Sequence, residues 1–232
     1  MPVQQFGDLL ADPKKLTSHL IKVIVVSFIF ALIAMYFFDQ KVSAFFAIRV
    51  VKESIRAPAR FLTDFALAEY WLILALMVWA FAKWVAPRTK MFDGYAEKIE
   101  FFRRWGLNFF AAQVFAGIVT HVIKFSVGRQ RPHKSPDFDP YVFTPMTTHW
   151  HWHSFSSGHS QVIFTVATMM SVAFPKFRWF WVPLAVLICL TRVVVHDHFV
   201  SDIIFGACVG YVGSLLSMYW MQLKTKAGLF SF

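Results

Sequence analysis

The sequence predicts an all-α, polytopic membrane protein with six transmembrane helices and an interfacial amphipathic helix between the first two. Three observations predict it. Of the 232 residues, 57% are hydrophobic and only 16% charged, more apolar surface than a soluble domain of this length carries. Aromatic residues are abundant, with 28 Phe and 9 Trp. Six apolar runs are long enough, or nearly so, to cross a hydrocarbon layer of about 30 Å. No internal repeat or low-complexity linker divides the chain, so residues 1–232 read as one domain.

The polar start, MPVQQFGDLLADPKK, leads into an apolar run at 20–38 that is too long for a signal-peptide core and reads as a retained helix. In KVSAFFAIRVVKESIRAPAR, residues 41–60, Phe45, Ile48, Val51 and Ile55 recur at helical spacing. Opposite them fall Arg49, Lys52, Glu53 and Arg56, the pattern of a helix lying flat at headgroup level. The second and third crossings are expected at 65–86 and 105–123. Runs at 159–174 and 179–195 are short and aromatic-rich, and 202–221 closes the set. Cys189 and Cys208 both fall inside apolar runs, as small core residues rather than a disulfide framework.

The formal net charge is +10. No exposed basic soluble module accompanies it, which argues against nucleic acid as a partner; in a membrane protein positive charge sets topology or meets anionic lipid. With the first helix running outward, the inside segments hold 12 Lys and Arg against 10 on the other face. Five of those 10 belong to the flat helix, and three more to the clusters below. The balance favours cytoplasmic termini.

Three polar clusters interrupt this apolar background. KFSVGRQRP (124–132) follows the third helix, SFSSGHS (154–160) opens the fourth, and TRVVVHDHFVSD (191–202) joins the fifth to the sixth. Six crossings put all three junctions on one side of the membrane, so they can share a pocket. Ionisable groups at membrane depth are costly and usually mark a working site. Lys124, Arg129 and Arg131 are suited to a phosphate, since charge-assisted bonds are strong and Arg binds bidentately. Ser157, Gly158 and His159 stand where a helix begins, with backbone amides that suit an anion and an imidazole that can move a proton. His198 and Asp202, at i and i+4, share a helix face. A carboxylate on one ring nitrogen leaves the other as base or nucleophile, and Arg192 can reach the same anion. Taken singly, the first cluster reads as ordinary interfacial charge, and the second as a Ser cap beside an interfacial His; the joint occurrence is what sets them apart.

Two other readings compete. HWHWH, with His149, His151 and His153, and His196 beside His198 offer imidazoles for a metal-dependent hydrolase, although no acidic neighbour flanks HWHWH and its Trp residues suit interfacial anchors. A transporter also carries intramembrane charge, but near the midplane. Here helix interiors such as 23–35 and 203–218 are nearly free of charge.

The ordered set Lys124-x6-Arg131–Pro132, Ser157–Gly158–His159 and Arg192-x5-His198-x3-Asp202 resembles the type-2 phosphatidic acid phosphatase superfamily. The resemblance implies a membrane lipid phosphatase that needs no metal or other cofactor. In it His198 is the nucleophile, Asp202 orients that ring and His159 is the proton donor. Lys124, Arg131, Arg192 and the amides of Ser157 and Gly158 hold the phosphate, with Arg129 as a secondary contact. Implied substrates are lipid A phosphate, undecaprenyl pyrophosphate, phosphatidylglycerophosphate or phosphatidic acid, with the site facing the exterior or periplasm of a bacterial inner membrane. Ser156 replaces the family's usual Pro and Thr191 its usual Ser; neither change removes a catalytic group.

Overall fold

A computed structural model of the protein describes residues 3–48 and 53–226. Among them the regular structure is helical; no strand forms, and one isolated bridge pairs Arg129 with Phe143. Five segments are long and apolar enough to cross a membrane: Pro13–Phe37, Ile55–Arg88, Ala96–Val127, Pro175–Val194 and Val200–Gln222. The expected fourth crossing is a helix of 16 residues, Gly158–Ala173, about 24 Å long at the α-helical rise.

A short helix, α1 (Val3–Ala11), precedes α2 (Pro13–Phe37). The second helix starts seven residues before the apolar run because its N-terminus is built from polar residues. The Asp12 side chain accepts from the amides of Lys14 and Lys15 at 2.9 and 3.2 Å, and Pro13 occupies the first helical position. The segment expected as one flat helix forms two pieces, α3 (Asp39–Ile48) and α4 (Glu53–Asp64). Arg49, Val51 and Lys52 of the expected pattern lie outside the described residues. Within it Phe45 and Ile55 are exposed, while Ser43 and Ala59 are buried.

Helix α5 (Ala68–Ala80) continues through a π turn at Phe81–Val85 and a 3-10 turn at Ala86–Arg88. The next helix, α6 (Ala96–Val127), begins nine residues before the expected 105. Its polar first turns are held by Glu100, which accepts from Arg103 at 2.6 and 2.7 Å and pairs with Arg104, one turn away. Then follow α7 (Gly158–Ala173), α8 (Arg178–Val194) and α9 (Val200–Lys226). Helix α7 packs against α6, α8 and α9, and Ser160–Val166 is almost wholly buried. It is the inner helix of the bundle.

Two glycines allow that arrangement. A Cβ at Gly206 would stand 2.4 Å from the Ser157 carbonyl oxygen, and one at Gly210 would stand 2.3 Å from that of Gln161. Both are closer than any real contact, so α9 meets α7 backbone to backbone, the small-residue packing common between membrane helices. The α6 C-terminus, α7 N-terminus, α8 C-terminus and α9 N-terminus gather at one end of the bundle. A loop over 128–157 covers that end. It starts at Gly128, whose φ of +58° ends α6 in the left-handed region and whose Cβ, if present, would meet the Thr144 carbonyl oxygen at 1.8 Å.

Candidate active site

All three polar clusters meet at this end. Lys124 lies in the last turn of α6, Ser157–His159 open α7, and Arg192 lies in the last turn of α8. His198 sits in the turn that leads into α9, and Asp202 in its first turn. The Ser157 amide donates to the Asp202 carbonyl at 3.0 Å, which ties the start of α7 to the start of α9. His159 lies in the fields of Arg192, Lys124 and Arg131, and His198 in those of Lys124, Arg131 and Asp202. The structure thus brings the residues of the three motifs together at one end of the helix bundle.

His198 is 2% exposed and Asp202 fully buried. The imidazole Nδ1 faces Asp202, 3.6 Å from Oδ2, beyond hydrogen-bond reach, and it has no hydrogen-bond partner among the described residues. Nε2 lies on the opposite edge of the ring. Burial pushes the His198 pKa well below 6.5; Asp202 opposes that shift, and the Lys124 and Arg131 charges reinforce it. At neutral pH the ring is neutral and one nitrogen keeps its lone pair.

Asp202 is held by more than His198. Its Oδ2 accepts from the Ser154 hydroxyl at 2.5 Å and from the Phe199 amide at 2.8 Å. Its Oδ1 accepts from Arg129 at 2.6 Å. Arg129 is 1% exposed and spans two carboxylates, reaching Asp39 at 2.8 Å with its other terminal nitrogen. Ser201 completes the network, donating its hydroxyl to Asp39 at 2.5 Å and receiving Arg129 at 2.7 Å. Burial opposes the Arg129 charge, but the two aspartates outweigh it and its pKa is raised. Its position between Lys124 and Arg131 suggested a secondary phosphate contact; the structure instead makes Arg129 a brace between Asp39 and Asp202. Its donors are spent on protein acceptors, and Phe199 covers its face at 4.3 Å.

Ser157 also differs from its expected role as an anion donor. Its amide is engaged by Asp202, and its hydroxyl accepts from the Ser160 amide at 3.3 Å and the Ser160 hydroxyl at 3.0 Å. Ser157 is a helix cap and an interhelical tie, not a free anion donor. The next amides, of Gly158 and His159, open α7 where no intrahelical acceptor exists.

Lys124 is 6% exposed and donates to the His153 carbonyl at 2.7 Å. The Arg131 amide donates to the His151 carbonyl at 2.9 Å, and Arg131 Nε to the Trp150 carbonyl at 3.2 Å. The Arg131 guanidinium also lies over the Trp150 ring, at 5.1 Å. The HWHWH stretch thus braces two cations through its backbone. Among the described residues no three His, Cys, Asp or Glu side chains converge as a metal-ligand set.

Arg192 donates one terminal nitrogen to Thr63 at 2.9 Å and the other to Asp197 at 2.5 Å; its Nε is buried with no partner among the described residues. The second Asp197 oxygen lies 3.6 Å from Arg131 and 3.8 Å from His133. Asp39, Ser154, Ser201 and Thr63 are not legible as site residues from spacing, whereas Asp197 stands inside the third motif beside His198. The one signal for Asp39 is an acid placed where the first apolar run ends.

A lipid A 1-phosphatase of Rhizobium etli is 34% identical over 112 residues, 48% of each chain. An undecaprenyl-diphosphatase of Sulfolobus acidocaldarius is 29% identical over 117 residues, 50% of this chain and 55% of that one. The chain spans about half the length of these curated relatives. The crystal structure of a transmembrane PAP2 type phosphatidylglycerolphosphate phosphatase from Bacillus subtilis superposes with a TM-score of 0.57 at 19% identity, covering 86% of this chain and 96% of that one; this likeness is one of fold. Residues 105–226, more than half of the chain, match the PAP2 superfamily model, and the chain belongs to that superfamily.

Proposed function

We propose that the protein is an integral membrane phosphatase that releases phosphate from a lipid phosphate or diphosphate through a phosphohistidine. One observation carries this reading: a buried, neutral His198, backed by a carboxylate on its Nδ1 side, shares a pocket with Lys124, Arg131, Arg192 and His159. In the first step the Nε2 lone pair attacks phosphorus as the bond to the lipid oxygen breaks, and His159 gives its proton to that oxygen. Water then attacks phosphorus and yields a proton to His159. The N–P electron pair returns to Nε2, and inorganic phosphate leaves. Asp202 stabilises the positive charge on the ring while the N–P bond exists. Lys124, Arg131, Arg192 and the Gly158 amide hold the non-bridging oxygens; removing one such preorganised donor costs on the order of 10²–10³ in rate. The unpartnered Arg192 Nε supports its part in this set. These cations supply charge stabilisation that a metal would otherwise give, so no cofactor enters the scheme.

The relatives' names support a lipid substrate, with lipid A phosphate first and undecaprenyl pyrophosphate and phosphatidylglycerophosphate as the other candidates. We place six crossings in the bilayer, counting α7, whose 16 residues are screened from lipid by α6, α8 and α9. Helices α3 and α4 lie at the interface, with the exposed Phe45 and Ile55 toward the acyl chains. Both termini face the cytoplasm, and the site opens at the outer face of a bacterial inner membrane. The whole chain forms one catalytic domain.

The test is phosphate release from a panel of these lipids by the full chain in detergent. His198→Ala should lower turnover at least ~10³-fold while the protein stays folded, as loss of a covalent nucleophile does. Near-normal turnover by a well-folded His198→Ala protein would remove the mechanism.

A further inference from the structure

The proposed phosphate pocket already contains an anion. Asp197 precedes the proposed nucleophile, and the turn that carries it folds back on Arg192. The amides of Asp197 and His198 both donate to the Arg192 carbonyl, at 3.1 and 3.3 Å, and His196 takes a left-handed φ of +64° to close the turn. This backbone aims the Asp197 carboxylate at the guanidinium of Arg192, 2.5 Å away, with its other oxygen 3.6 Å from Arg131. The two arginine side chains are 7% and 15% exposed, whereas Asp197 is 30% exposed. The carboxylate therefore stands on the solvent side of two mostly buried cations.

We propose that Asp197 is a displaceable counter-ion of the phosphate cradle, holding Arg131 and Arg192 until a phosphoryl group takes its place. The inference rests on the phosphatase reading, because it assigns those two cations to phosphate. A carboxylate and a phosphoryl group compete for the same guanidinium donors and repel each other across a few ångströms. Substrate binding must swing Asp197 away. Inorganic phosphate left after the second step meets the same competition, so the carboxylate favours product release. The cations stay neutralised and preorganised between turnovers, and the pocket does not bind phosphate so tightly that it stalls.

Inorganic phosphate is the probe, and the full chain in detergent the sample. Phosphate should raise the unfolding temperature of the protein in proportion to its affinity, at ionic strength held constant with potassium chloride. Asp197→Asn keeps the shape and removes the charge; Asp197→Ala removes the side chain as a second variant. Both should bind phosphate about five- to tenfold more tightly than wild type, as expected for loss of one competing, half-exposed ion pair. Phosphate inhibition of lipid hydrolysis should tighten in step. Stabilisation of wild type with equal or weaker stabilisation of both variants would overturn the counter-ion role and leave the phosphatase reading standing. Stabilisation of the variants alone would support the role in its strongest form. No stabilisation of any of the three would overturn both readings.

Discussion

The two parts of the chain contribute differently to the site. Residues 105–226 carry the groups to which the proposed mechanism gives roles: Lys124, Arg131, His159, Arg192, His198 and Asp202. Described residues before 105 brace them. Asp39, where α2 passes into α3, pairs with Arg129 and so with Asp202; Thr63, at the end of α4, holds Arg192. The proposed chemistry draws on one half, and the rigidity of its groups depends partly on the other. A pocket of like-charged cations gains nothing from flexibility, since each must point inward against repulsion from the rest.

Replacing Asp39 should break this division most strongly. In Asp39→Asn, Arg129 and Ser201 lose a buried charged acceptor, a loss of about 1.5–3 kcal/mol. The unfolding midpoint in detergent should fall, and turnover should fall with it as Asp202 loosens. Unchanged stability and unchanged turnover would mean that the N-terminal part is a passive wrapper. Thr63→Val sharpens the same question at lower cost. Arg192 keeps its partner Asp197, so stability should hardly move, while kcat/KM falls roughly fivefold, about 1 kcal/mol. A drop in stability with no kinetic change would assign Thr63 to packing alone. The smallest effect concerns pH and only the C-terminal part. Because the folded-state pKa of His198 lies well below 6.5, lowering the pH through 6.5 does not protonate the ring. Activity should persist there and fall only under more acid conditions, where protonation removes the lone pair. An acid limb centred at or above 6.5 would contradict the buried, neutral imidazole.

The contrast also explains what the sequence disclosed. His198 and Asp202 are one helical turn apart, and Lys124, His159 and Arg192 sit at helix ends that meet at one end of the bundle. Short spacing, together with the six crossings expected from the sequence, suffices to group them. Asp39 was invisible because its partner Arg129 lies 90 residues away, and no local pattern ties them. Arg129 itself was visible but misassigned: a cation between two phosphate-motif cations looks like a third, and only the chain reversal at Gly128 turns it inward. Ser157 misled for a similar reason. A helix N-terminus suggests open donors, yet the close approach of α9 consumes one. The helix starts at Pro13 and Ala96 were missed because hydropathy reports the apolar run, while caps and ion pairs carry the helix beyond it.

That close approach has a further consequence. Gly206 and Gly210 set the gap between the helix that presents His159 and the helix that follows His198, and they set it with hydrogen atoms where other residues carry carbon. The reach from proposed proton donor to proposed nucleophile is thus metered by two missing methyl groups. Adding either one would wedge the helices apart and detune the chemistry from a distance, with every reactive side chain still in place.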